Sequence, residues 1–181
     1  MDSVSDKFGK YLFEIILDNR AYLFVWGIDL SSDNEYILRN NENKIILFLN
    51  FLELKKFICD NVFFDELVEW VNNVEDNEND KVLLDFENEL NSLKVLDDRF
   101  LELWKDISLF IELYDDLIYL NNDEDKLVLN KDVERFKEQY RDNFIWRNEI
   151  KKEFIIETNF IKGLNEMSGY IKSSIAIFMN D

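Results

Sequence analysis

The sequence predicts an α+β protein: an antiparallel β-meander of about four strands over residues 8–50, then a mostly helical C-terminal two-thirds over 51–181. Three observations predict it. The first fifty residues carry short β-branched and aromatic runs separated by polar turns. Asn50, with Glu53 three residues on, marks a helix start. Beyond that point apolar residues recur at spacings of three and four. There is no internal repeat and no low-complexity linker, so 1–181 reads as one domain.

Element by element, Tyr11–Leu17 and Ala21–Gly27 read as two strands joined by the polar turn Asp18-Asn19-Arg20. The loop Asp29–Asn34 leads to a third run, Tyr36–Arg39. The tetrad Asn40-Asn41-Glu42-Asn43 then turns into a fourth, Lys44–Leu49. The helix capped by Asn50 is expected to carry Leu52, Phe57 and Ile58 inward and Lys55 and Lys56 outward. Cys59, among apolar neighbours, is expected as a buried structural thiol. A second short helix, Phe63–Val71, presents Leu67, Trp70 and Val71.

Residues 73–80 form a polar, acidic loop, after which Leu83, Phe86, Leu90 and Leu93 take a helical period. The clearest signal is the seam Leu96, Phe100, Leu103, Ile107, Phe110, Tyr114 and Leu117, spaced alternately four and three. Trp104, Ile111 and Ile118 recur every seven residues beside it, which predicts a helix buried on more than one side. The stretch 117–129 fits either the end of that helix or a short hairpin. Asn130 caps a further helix through Val133, Phe136, Tyr140 and Phe144. The link 146–157 fits strand or helix. A last helix, starting near Thr158 or Asn159, carries Phe160, Leu164, Met167, Ile171, Ile175 and Phe178. Gly163 and Gly169 weaken it by about 1 kcal/mol each relative to alanine.

Composition removes many chemistries. Histidine is absent, which excludes Ser-His-Asp and Cys-His hydrolysis and histidine-based metal sites. Proline is absent too, and four glycines form neither a dinucleotide-binding nor a P-loop fingerprint. One cysteine permits no internal disulfide, and the start Met1-Asp2-Ser3-Val4 lacks the basic-then-apolar pattern of a secretory signal. The longest apolar stretch, Ile45–Leu54, is too short to span a bilayer. A cytoplasmic, non-enzymatic protein without cofactor or metal is expected. The loop from Asp123 matches an EF-hand at Asp125 and Glu134, but Leu127 replaces an oxygen ligand and Val128 the turn glycine. Asp76, Glu78 and Asp80 fail similarly, with Lys81 where glycine belongs.

The net charge of −18 is uneven. Residues 1–60 hold 10 acids and 7 bases, residues 61–125 hold 20 acids and 4 bases, and residues 126–181 hold 9 acids and 10 bases. An excess of that sign disfavours direct nucleic-acid or anionic-membrane binding and draws in a basic protein partner. The carboxylates expected to meet it are Glu75, Asp76, Glu78, Asp80, Asp97, Asp98, Glu102, Asp115 and Asp116. Asp115 and Asp116 sit near a helix C-terminus against its dipole, at about 0.3–1 kcal/mol each. The cations Arg135, Lys137, Arg141, Arg147, Lys151 and Lys152 alternate with Glu134, Glu138, Glu149 and Glu153. That mixture suits ion-paired helix faces, not a nucleic-acid groove. Monomer and homodimer both fit.

The strand-to-helix stretch Lys44-Ile45-Ile46-Leu47-Phe48-Leu49-Asn50-Phe51-Leu52-Glu53-Leu54-Lys55-Lys56-Phe57-Ile58, with the small size and acidity, resembles the immunity proteins of bacterial polymorphic and contact-dependent toxins. The resemblance implies one-to-one capture of a toxin domain, often a basic nuclease, by acidic residues that block it. The alternative is a phage-type inhibitor, anti-CRISPR or anti-restriction, whose carboxylates stand in for phosphates. Steep salt dependence separates the second from the first.

Overall fold

The computed structural model describes residues 3–61, 65–75, 80–84, 98–128, 130–142 and 158–178. They fall into two compact units, Met1–Val82 with Ser174–Asp181, and Leu83–Ser173.

The first unit opens with a short helix α1 (Val4–Phe8), closed by Gly9 at φ 61°. A long hairpin follows, β1 (Lys10–Leu17) and β2 (Arg20–Asp29), paired antiparallel from Lys10↔Gly27 to Leu17↔Arg20. Its turn is the two residues Asp18 and Asn19, both at positive φ, the left-handed geometry that tight hairpins require and that Asp and Asn tolerate. Gly9 and Gly27 meet backbone to backbone, and the Ile28 N–H donates to Gly9 O at 2.7 Å. A side chain at Gly27 would collide with that carbonyl. β3 (Asn34–Ile37) pairs antiparallel with the end of β2, and β5 (Asp80–Leu83) joins β1, giving the order β3-β2-β1-β5.

The α+β architecture agrees with the sequence, and four N-terminal strands stand in the expected places. The fourth, β4 (Ile45–Leu47), is paired differently from a simple meander. Asn40 closes the expected turn, its Oδ1 accepting from Glu42 N and Lys44 N. Isolated bridges, Arg39↔Ile45 and Leu23↔Phe48, link the start and end of this segment to the preceding chain, and β4 pairs in parallel with β6 (Ile175–Ile177). Ile175 and Phe178 are therefore in or beside a strand, not the last helix. The chain's β-branched Ile175 and Ile177 favour that extended form.

Helices α2 (Phe51–Asp60) and α3 (Asp65–Asn73) cover one sheet face. Asn50 Oδ1 caps α2 by accepting from Glu53 N at 3.0 Å, and Glu53 Oε2 accepts from Leu49 N. Leu54 and Ile58 reach the core, with Leu67, Trp70 and Val71 of α3. Leu52 does not: it is 76% exposed, because it stands two residues, or about 200° of helix, from Leu54. Cys59, one residue past Ile58, is likewise exposed and not the buried thiol expected. Residues Tyr22–Trp26 are all buried, so β2 has apolar cover on both faces.

The second unit is built on α4 (Asp98–Asn121), α5 (Lys131–Tyr140) and α6 (Thr158–Ser173). Leu103, Ile107, Phe110, Tyr114 and Leu117 are buried as the seam predicts, as are Trp104, Ile111 and Ile118 beside it. Trp104 and Phe136 stand edge to face at 5.5 Å, and Phe136 and Phe160 lie 5.4 Å apart, tying the three helices together. The helical alternative holds for residues 117–121, with a 3-10 turn at Glu124–Lys126 following. Leu83 belongs to β5, not to a helical run. Phe63, Phe86, Leu90, Leu93, Leu96, Phe144 and the link 146–157 lie outside the described residues.

Candidate functional site

α4 decides what the acidic surface can do. A helix of 24 residues is about 36 Å long. Its buried seam holds one face, so the opposite face is presented as a fixed row. Glu102 and Glu112 flank Asp116 by about 40° on either side. Glu102 and Glu112 are exposed and Asp116 is half-buried. Lys105 stands on the same row.

Asp115 is turned about 100° away, toward α5. Its Oδ2 accepts from Lys137 Nζ at 2.7 Å, while Oδ1 is buried with no donor. Lys137 also lies 3.3 Å from Glu134. These residues border a groove of about 470 Å³ between α4 and α5, floored by Ile111 and Phe136 and edged by Ser108, Glu112, Tyr140 and Arg141. Ser108 Oγ donates to Glu112 at 3.2 Å, and burial pushes the Tyr140 hydroxyl up. The Lys137–Asp115 bond crosses the helix pair, whereas Ser108–Glu112 and Lys137–Glu134 each lie along one helix. Sequence reasoning placed Lys137 on an ion-paired helix face but could not pair it with Asp115, 22 residues away.

The remaining expected site residues are spread over the chain. Glu75 is exposed just past α3, in the first unit. Asp80 opens β5 and Asp98 opens α4, and their side chains lie outside the described ones. Asp76, Glu78 and Asp97 lie outside the described residues altogether. The acid-rich segment 61–125 is divided between the two units at Val82.

At the other end of α4 a polar clasp holds the loop 121–128. The Tyr114 hydroxyl donates to Lys126 O at 2.8 Å and accepts from Val128 N at 2.9 Å. Tyr170 donates to Asp123 Oδ2 at 2.8 Å and accepts from Asn121 Nδ2. Hydrogen bonds from Lys126 and Tyr170 hold the Asp123 carboxyl below its usual range. The loop is closed by its own lysine and two tyrosines. Among the described residues no group of three or more acids or cysteines is placed to hold a metal ion. Nor is any helix among them long and apolar enough to cross a membrane.

These features define an α+β protein with an acidic helix face. No family model matches the chain, and no curated protein matches it. Among solved structures the fold is similar to the C-terminal domain of SatS, determined in complex with bromine. The TM-score is 0.63 over 96% of both chains, at 11% identity. At that identity the likeness is one of fold.

Proposed function

We propose that the chain is a non-catalytic, cytoplasmic binding protein that captures a basic protein partner, in the manner of an immunity protein neutralising a nuclease-type toxin. The observation that carries this reading is the row Glu102, Glu112 and Asp116 on a helix fixed from behind by Leu103, Ile107 and Phe110. Carboxylates on a preorganised scaffold lose little freedom on binding, so their charge goes into steering and register. Absent histidine, and the engagement of Asp115 with Lys137 and of Ser108 with Glu112 in the groove, favour binding over catalysis.

The test is affinity capture from the source cells with the tagged full chain, washed at low and high salt. The wild type is compared with the triple variant Asp98→Lys, Glu102→Lys, Asp116→Lys. A single basic toxin-like protein, retained at high salt and lost about a hundredfold in the variant, is the expected result. Equal retention by both chains would sink the acidic-face reading. A nucleic-acid-processing complex released as salt rises would instead point to the phage-type inhibitor.

A further inference from the structure

The groove between α4 and α5 holds an acceptor that the chain itself does not use. Asp115 gives Oδ2 to Lys137 Nζ at 2.7 Å, while its Oδ1 is shut off from solvent and meets no donor. A buried carboxylate oxygen without a donor marks a hydrogen bond still to be made. Asp115 lines a cavity of about 470 Å³, inside the range of about 300–1,000 Å³ that ligand pockets occupy.

The lining decides what suits this cavity. Three carboxylates, Glu112, Asp115 and Glu134, stand against two cations, Lys137 and Arg141. Lys137 is already held by Asp115 and, at 3.3 Å, by Glu134. The balance is negative, so an entering cation is favoured over an entering anion. The floor is apolar, Ile111 and Phe136, and the half-buried Tyr140 ring is stacked on Phe136 at 6.2 Å and 18°. Such a site calls for a flat cationic head on an apolar stem, which is the arginine side chain. Its methylenes lie on the floor, its guanidinium stacks on an aromatic face, and its fork of N–H donors reaches more than one carboxylate. Lysine offers the stem and the charge but not the plane. Glu112 belongs both to this groove and to the acidic row of α4, so the groove opens beside that row.

We propose that the groove receives one arginine side chain of the basic partner. Asp115 Oδ1 is the buried acceptor, Glu112 and Glu134 are the rim charges, and Tyr140 is the stacking face. That the arginine comes from a protein rests on the capture reading above; the fit of arginine rests on the groove alone. The terminal torsion of an aspartate is broad, so a small turn of the Asp115 carboxyl presents Oδ1 to an entering donor. The row on α4 then supplies attraction at a distance, and the groove fixes register.

The test uses the full chain and N-acetyl-arginine amide as the probe. The citrulline analogue, alike in shape but uncharged, is the control, and methyl and aromatic NMR signals follow the titration. The arginine probe should shift the Ile111 methyl and Tyr140 ring signals saturably, and citrulline should bind at least tenfold more weakly. Asp115→Asn should weaken the arginine probe at least tenfold. That variant also loosens Lys137, so two exposed positions that leave the packing untouched are tested beside it. Glu112→Gln and Glu134→Gln should each weaken binding about threefold. No saturable shift, equal binding of citrulline, shifts centred on Glu102 and Asp116, or undiminished binding in all three variants would overturn the proposal. The probe needs no partner, so its failure is distinguishable from failure of the capture experiment.

Discussion

Two buried aromatic side chains with polar handles, one in each unit, are treated in opposite ways. Trp70 in the first unit is fully buried and its indole N–H finds no acceptor. Tyr114 in the second unit is equally buried, and its hydroxyl makes two hydrogen bonds. The difference follows from where each architecture leaves backbone groups unpaired. Strands commit their carbonyls to ladder partners, and Trp70 belongs to an apolar core cluster with Leu12, Val25 and Ile58. Helices leave orphan groups at their ends, and the loop between α4 and α5 needs a side chain to satisfy them. Tyr114 therefore acts as a clasp, whereas Trp70 serves as filler.

Mutations test this contrast, beginning with the largest effect. Trp70→Ala and Trp104→Ala each empty a fully packed site and should cost about 3–5 kcal/mol in denaturant unfolding. The next pair separates the units. Tyr114→Phe strands the Lys126 carbonyl and the Val128 N–H, and should cost about 1–3 kcal/mol. Trp70→Phe removes an unpaired donor as well as some packing, and should stay within about 1 kcal/mol of wild type. A large loss on Trp70→Phe, or none on Tyr114→Phe, would reverse the comparison.

The glycines of α6 sharpen it at smaller scale. A Cβ at Gly163 would meet the Asn130 side-chain amide at 2.6 Å, displacing the residue whose Oδ1 caps α5. At Gly169 nothing lies within 4 Å. Gly163→Ala should therefore destabilise by about 0.5–2 kcal/mol, the worth of a cap. Gly169→Ala should stabilise by about 0.5–1 kcal/mol. Thermal melts of the two variants should shift in opposite directions.

The smallest effects are electrostatic. Burial pushes the Tyr36 hydroxyl up to about 12, with Asp29 adding to the shift. An unfolded tyrosine titrates near about 10, so the folded state favours the neutral ring. That contribution is whole below pH 10 and is lost as pH rises from 10 toward 12. Asp6, Asp29 and Asp123 are held low by hydrogen bonds, from Ser3, Ser31 and Lys126 first. Their contribution is present above the ordinary carboxylate range and is lost as pH falls through the folded values. Ultraviolet titration of the tyrosines, and melts taken across both windows, check the two signs.

Much of the fold is legible in the sequence wherever the signal is local. The Asp18-Asn19 turn, the Asn50 and Asn130 caps and the four-three seam of α4 are each decided within a turn or two of chain. Steric and hydrogen-bonding preferences act at that range. The acidic row on α4 follows from the same periodicity, since a seam on one face puts Glu102 and Asp116 on the other. What the tertiary structure decided is every contact that joins distant residues. It set β4 beside β6 across 130 positions, gave Asp115 to Lys137, turned Cys59 and Leu52 outward and pressed Gly163 against Asn130. An apolar run states that a strand will form but not which edge will receive it. Backbone hydrogen bonds are the same for every sequence, and only the closing of the whole core selects the partner.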